Sequence, residues 1–248
     1  MNGRDGYFGE DIAATYDSDA SDMFSDDIVG PTVDVLAQLA GGGSALEFGI
    51  GTGRIALPLA RRGIEVHGID LSRAMVDRLR AKPGGSAVAV TIGDFATTRA
   101  PGEFALVYLV LNTICNLTTQ DAQVACFLNA AEHLTPGGSF VIEVGVPAMR
   151  LLPPGQRAVP FAVENNCWAY DLYDCTTQAM SSNYVDENDG RARLRSIPFR
   201  YVWPSELDLM ARIAGLVLAE RWEDWDRSPF THESTRHVSV LQKRSRTS

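Results

Sequence analysis

The chain has 248 residues, 45% of them hydrophobic, and a formal charge of -9 at pH 7, with an isoelectric point near 4.9. That suits one large domain or a domain with a modest insertion, and the acidic balance argues against nucleic acid as the main partner, which calls for a basic footprint. No apolar run is long enough to span a membrane, and Met1 to Glu10 are polar and glycine-rich, so no secretory signal is expected.

The four cysteines, Cys115, Cys126, Cys167 and Cys175, show neither CxxC spacing nor a disulfide framework, so reduced thiols in a cytoplasmic protein are expected. The histidines His67, His133, His232 and His237 are scattered without metal-ligand spacing, and no metal is expected.

Residues 1–43 read as an acidic helical arm. Tyr7, Phe8, Ile12, Tyr16, Met23 and Phe24 stand among aspartates as candidate anchors, and a short helix is expected over Ile12–Tyr16. Val29, Val33, Leu36 and Leu39 give Ile28–Leu39 one apolar side, with Pro31 in its first turn and Gly41 ending it. Ala45 to Phe48 read as a buried strand, followed by Gly49, Gly51 and Gly53 and a helix over Arg54–Arg61 that Pro58 should kink. Strand, glycine turn and helix form a cofactor-binding unit, because a helix start presents free N–H groups. Ile64–Asp70 is a second strand, Ser72 caps the next helix, Ala87–Ile92 is a third strand and the nearly all-apolar Phe104–Leu111 a fourth. Asp121–Leu134 is a helix, Pro136-Gly137-Gly138 a turn and Phe140–Val144 a fifth strand. This alternation over 44–146 predicts a doubly wound α/β sheet. Residues 147–203 change character: a proline-rich stretch precedes strand-like Trp168–Asp174 and Met180–Val185, a turn at Glu187–Gly190 and an extended Arg191–Trp203, together an antiparallel insertion. The stretch 204–248 returns to the core. Ser205 and Asp208 suggest a capping box, Leu216–Trp222 and Val238–Leu241 two strands around a polar loop, and Lys243–Ser248 a frayed tail.

Asp70 ends the second strand about 20 residues after the glycines, where a carboxylate can accept both hydroxyls of a ribose. A nicotinamide dinucleotide shares that geometry, and Gly51-x-Gly53-x-x-Ala56 meets the relaxed G-x-G-x-x-A form, so an NAD(P)-dependent oxidoreductase is the alternative. Against it stand the helix and arm before the glycines and the Gly93-Asp94-Phe95 run, where an acid beside an aromatic suits an adenine. There is no G-x-S-x-G elbow and no phosphate-binding loop. A non-catalytic domain stabilised by its cofactor is the remaining alternative.

The residues Glu47-Phe48-Gly49-Ile50-Gly51-Thr52-Gly53, Gly68-Ile69-Asp70-Leu71-Ser72, Gly93-Asp94-Phe95 and Leu134-Thr135-Pro136-Gly137-Gly138 together resemble the motifs of class I S-adenosylmethionine-dependent methyltransferases. The resemblance covers about Tyr16 to Leu241, and the insertion is similar to that of the small-molecule branch acting on sugars and natural products. It implies a Rossmann-like sheet of seven strands with the last antiparallel, and S-adenosyl-L-methionine as cofactor. It also implies site roles. Glu47 would help hold the methionine amino group, Gly49 and Gly51 would line methionine and ribose, Asp70 would bind the ribose, Leu71 and Met75 would flank the adenine, and Asp94 and Phe95 would complete its site. Leu109 to Asn112 would pass beneath the sulfonium, Tyr16 would reach over the cofactor, and Arg54 is a candidate for the methionine carboxylate.

The reaction is then an in-line methyl transfer to an amine or hydroxyl of a small organic acceptor, governed by alignment and exclusion of water. His232 and Tyr16 are the candidates for a base, although transfer needs one only if the nucleophile must lose a proton. Asn112, Asn166, Trp168 and Tyr170 are the candidate acceptor contacts, with Trp168 and Tyr170 equally suited to a homodimer interface.

Overall fold

The computed structural model describes residues 6–19, 21–164, 167–188 and 191–245. The acidic arm folds as α1 (Glu10–Asp19) and leads into α2 (Asp26–Ala40), which Gly41 ends in a left-handed cap. Strand β1 (Ala45–Phe48) is buried at all four positions, which is why it shows no alternation in sequence. Then come α3 (Ala56–Arg61), β2 (Val66–Asp70), α4 (Arg73–Ala81), β3 (Ala89–Ile92), β4 (Phe104–Leu109), α5 (Gln120–His133) and β5 (Leu134–Gly145). The insertion is a separate antiparallel sheet of β6 (Ala158–Glu164), β7 (Cys167–Tyr173), β8 (Ala179–Asn188) and β9 (Arg191–Arg200). Finally α6 (Pro204–Ile213), β10 (Leu216–Trp222) and β11 (Arg236–Lys243) close the main sheet.

That sheet has seven strands in the order β10-β11-β5-β4-β1-β2-β3. Strands β1 to β5 pair parallel, and β11 inserts antiparallel between β5 and β10. Each face is covered. Leu46, Phe48, Val107 and Phe140 pack with Phe127 of α5 and Leu207 of α6. Ala45, Leu106, Tyr108 and Val141 pack with Val33 and Leu36 of α2 and Leu59 of α3. The expected seven-stranded, doubly wound sheet with its antiparallel last strand and separate antiparallel insertion is therefore present.

Several local expectations need correction. Pro58 does not kink α3, because the helix begins at Ala56 and its first turn has no use for the missing N–H. Ser205 is not the cap of α6: Trp203 is, without a side-chain bond, Pro204 takes the first helical position, and Asp208 pairs instead with Arg221 at 2.6 Å. Pro136-Gly137-Gly138 lies within β5, as an irregularity in its pairing with β4. Strand β6 forms inside the proline-rich stretch, with Pro160 beside an irregularity in register. Glu187 and Asn188 are still strand, and the rest of the expected turn, Asp189 and Gly190, lies outside the described residues. Lys243 is not frayed; its Nζ donates to the carbonyls of Ala131 and Leu134 at the end of α5.

Arg200 fastens the insertion to the core. Its side chain is 5% exposed and pairs with Glu206 of α6 at 2.8 Å. It also donates to Gln123 Oε1 of α5 and to Gln178 Oε1 at 3.0 Å. Gln123 answers by donating to the Arg200 carbonyl at 3.1 Å. Removing one member of such a buried pair strands the other charge. Arg200→Met should therefore lower unfolding free energy by about 3 kcal/mol, measured by urea denaturation; an unchanged midpoint would show that the clamp carries no stability.

Candidate active site

Strands β1 and β4 are neighbours, yet the chain winds away from them in opposite directions, so their carboxyl ends border an open crevice. The glycine turn fills its edge. Gly49 (φ 71°) and Gly51 (φ 54°) hold left-handed conformations, and a Cβ on Gly49 would meet Thr113 Cγ2 at 2.7 Å. Asp70 braces this turn: its Oδ2 accepts from the Gly51 N–H at 2.7 Å and its Oδ1 from the Ser72 N–H at 2.8 Å. Ser72 caps α4 through the Met75 N–H at 3.1 Å and donates to the Phe8 carbonyl at 2.5 Å, tying the arm to the site. At the end of β3, Asp94 accepts from the Ala96 N–H at 2.8 Å, while Phe95 stacks on Phe48 with ring centroids 5.9 Å apart.

These groups form one end of a cavity of about 880 Å³, near the top of the roughly 300–1,000 Å³ range of small-molecule sites. Gly49, Gly51, Asp70, Leu71, Met75, Asp94, Phe95 and Tyr16 line that end; Leu111, Asn112 and Thr113 lie across the middle; the insertion sheet walls the far end with Asp171, Tyr173, Ser182 and Tyr184. The arm roofs it with Tyr7 and Phe8. A latch holds the arm down. Thr52 Oγ1 donates to Asp17 Oδ1 at 2.6 Å, Lys82 pairs with Asp17 Oδ2 at 2.5 Å and donates to the Thr52 carbonyl at 2.8 Å, and the same ammonium lies over the Phe24 ring.

Residues 45–138 match a family model described as a methyltransferase domain. The chain is similar to the Cypemycin N-terminal methyltransferase of a Streptomyces species, with 28% identity over 207 residues, 82% of this chain and 84% of that one. The solved structure of the CcbJ methyltransferase from Streptomyces caelestis superposes with a TM-score of 0.78 at 36% identity, covering 87% of this chain and 89% of that one. The chain belongs to the class I S-adenosylmethionine-dependent methyltransferases. The SAM-bound CalS10 amino pentose methyltransferase from Micromonospora echinaspora shares the fold, with a TM-score of 0.62 at 20% identity over 86% of this chain and 90% of that one.

This methyltransferase presents a surface that fits its cofactor. The two left-handed glycines leave the cradle open, and Leu71, 44% exposed, lines the cavity together with Phe95. Asp70 places two carboxylate oxygens in the cavity wall, the acceptor type that ribose hydroxyls require. S-adenosylmethionine supplies, when bound, an electrophilic methyl on a positive sulfur whose leaving group is a neutral thioether. Two residues expected at the cofactor stand behind the wall. Leu109 is sealed in the core, and the segment after β4 presents Leu111 and Asn112 instead, both at positive φ. Glu47 is 4% exposed and accepts from Tyr108 Oη at 2.9 Å; burial pushes its carboxyl up to about 8. Arg54 donates to the Met23 carbonyl at 3.2 Å and so anchors the arm.

The base candidates fare differently. His232 is 91% exposed in its side chain and absent from the cavity wall, with its carbonyl held by Arg150. Tyr16 lines the cavity, but burial raises its phenol, which disfavours the phenolate that a base would need. The other histidines are structural: His67 bonds Thr91, His133 bonds the backbone of Asn129 and Ala100, and His237 bonds Ser239.

Of the acceptor candidates, Asn112 lines the cavity, with its Oδ1 accepting from the Gly145 N–H at 2.6 Å. Asn166 lies outside the described residues. Trp168 and Tyr170 are on the wrong side of the insertion. Side chains alternate along β7, and its inner phase is Asp171 and Tyr173, so Trp168 and Tyr170 face away and Trp168 is 41% exposed. Sequence reasoning missed Asp171, Ser182 and Tyr184; a period-2 reading of β7 would have separated the two phases without telling which faced inward.

Asp70→Asn should weaken binding of the demethylated cofactor, S-adenosylhomocysteine, by about 1.5–3 kcal/mol in titration calorimetry; unchanged affinity would remove Asp70 from the site. For Glu47 the folded carboxyl titrates near 8 against 4.5 when unfolded. The folded state holds its proton more tightly, so this contribution is full at low pH and is lost as pH rises through 8. The stability advantage of wild type over Glu47→Gln should therefore shrink between these pH values by roughly 3–5 kcal/mol. A constant difference across denaturation curves at pH 5 to 9 would contradict a buried, protonated Glu47.

Proposed function

We propose that this enzyme methylates a nitrogen of a small organic acceptor, seated between the glycine turn and the inner face of the insertion sheet. The observation that carries this is the continuity of one cavity: its glycine end has the groups that suit an adenosine cofactor, and its far end has aromatic and hydroxyl side chains that the cofactor does not need. Glycines, Asp70, Leu71, Met75, Asp94 and Phe95 hold the cofactor in this reading, with Tyr16 closing over it. Leu111 and Asn112 stand at the boundary where the two ligands meet. A similar protein is named for methylating an N-terminus, which favours nitrogen over a hydroxyl oxygen.

The chain's contribution to rate is alignment and dryness. The latched arm excludes water from the cofactor end, and the insertion sheet fixes the acceptor against it. No cavity-lining side chain among the described residues is a histidine, so the proton released on transfer leaves through a carboxylate or solvent rather than an imidazole.

Incubation with labelled cofactor and a panel of small amines, phenols, sugars and carboxylates, read by mass spectrometry, should show transfer to amines. Transfer only to hydroxyls, or to none of the small acceptors, would contradict the reading. Tyr184→Ala should raise the acceptor KM about tenfold or more, while the cofactor KM stays within about twofold. Trp168→Ala, on the outer face, should move neither.

A further inference from the structure

Among the described residues, the carboxylate at the acceptor end of the cavity pairs with no cation. Asp171 lies on the inner face of β7 and is half-buried. Its Oδ1 accepts from Ser182 Oγ at 2.6 Å, across the β7–β8 pair in which the two residues stand opposite each other. Its Oδ2 takes a long bond of 3.4 Å from Tyr173 Oη. Both partners are neutral. A carboxylate offers about four acceptor positions, so about two are left. Burial raises the Asp171 carboxyl, the bonds from Ser182 and Tyr173 opposing it, and no positive group contributes.

Among the described residues, Arg150 and Arg195 are the nearby cations with contacts elsewhere. Arg150 lines the cavity, but its guanidinium donates to the carbonyls of His232 and Glu233 at 2.6 and 2.7 Å. Arg195 lies over the Tyr184 ring, 4.6 Å from its centroid. Asp70 and Asp94, the other cavity carboxylates, sit at the cofactor end and are bonded by backbone N–H groups. Around Asp171 the walls are aromatic. Phe161 and Tyr184 meet edge to face at 5.7 Å, and Tyr173 packs on Tyr201 at 5.5 Å. In the roof, the Tyr7 hydroxyl is buried and has no hydrogen-bond partner among the described residues. A native protein seldom leaves such a group unmatched without a ligand or water to serve it.

A carboxylate drawn partly out of water costs free energy unless a cation or several donors compensate it. Aromatic faces favour cations over neutral groups of the same shape. We propose that the acceptor carries a basic nitrogen and that Asp171, steadied by Ser182 and Tyr173, is the side chain that holds it within an aromatic chamber. This rests on the reading of the far end as the acceptor site and deepens it, by naming the charge and chemical class that the site selects. Asp171 also excludes anions: a phosphorylated or carboxylated acceptor would face an unscreened like charge.

Calorimetry on the full chain tests this with matched probes: cyclohexylamine against cyclohexanol and cyclohexanecarboxylate, and benzylamine against benzyl alcohol and benzoate. S-adenosylhomocysteine is titrated first, alone, and the probes are then titrated with and without it. Each amine should bind at least about tenfold more tightly than its alcohol, with the carboxylate weakest. Asp171→Asn should abolish the preference and Ser182→Ala should reduce it, with the S-adenosylhomocysteine Kd of both within about twofold of wild type. Equal binding of amine and alcohol, no measurable binding of either amine, or an amine preference that survives Asp171→Asn would overturn the proposal. Failure of S-adenosylhomocysteine to bind strikes instead at the cofactor site, and the probe titrations without it still decide the role of Asp171.

Discussion

The site depends on the Arg200 clamp. The cavity has walls from two sheets that share no strand, and a cavity between separate sheets is only as well defined as their spacing. Arg200 ends the last insertion strand and reaches Gln123 on α5 and Glu206 on α6, elements packed on the main sheet. The same guanidinium holds Gln178, which starts the turn into β8 at positive φ and itself donates to Glu206 at 2.7 Å. One buried charge thus fixes both ends of the insertion hairpin against the core, and with them the strand that presents Ser182 and Tyr184. A planar, five-donor group suits this task; lysine could satisfy the charge but not the geometry.

The opposite wall is organised by carboxylates that accept from backbone N–H groups. Asp70 joins the glycine turn to the start of α4, and Asp94 closes the turn after β3. Each thereby has a fixed direction before any ligand arrives, which reduces the ordering cost of binding. The arm completes the enclosure through Asp17, Thr52 and Lys82. These polar contacts are joined by an apolar cluster in which Phe8, Ala13 and Tyr16 pack on Ala74 and Met75 of α4.

The sequence conveyed the sheet well and the acceptor site poorly, for a common reason. Glycines with positive φ, an acid at the end of β2 and fully apolar central strands are each demanded by backbone geometry or double-sided burial, so few other residues can stand there. Glu47 and Leu109 show the limit: motif position located them near the cofactor but could not tell a lining residue from one packed just behind it. In the insertion, the usual contrast between polar and apolar phases fails. The inner face meets a ligand cavity and carries Asp171, Ser182 and Tyr184, while the outer face carries Trp168, Val163 and Leu194, all more than a third exposed. Hydrophobicity therefore pointed to the wrong phase of β7, and a shift of one residue exchanges the faces completely. Capping at α6 misled similarly, because Pro204 at the first helical position and the Asp208–Arg221 pair took the roles assigned to Ser205 and its partner.

The central claim is that one cavity has a cofactor half on the main sheet and an acceptor half on the insertion. Hydrogen exchange with mass spectrometry, with and without S-adenosylhomocysteine, reads this directly. The account predicts slowed exchange at the glycine turn 49–53, at Leu71–Ser72, at Phe95–Ala96 and in the arm around Tyr7–Phe8, with little change across β7 and β8. Slowing confined to the insertion strands, or absent from the glycine turn, would contradict it.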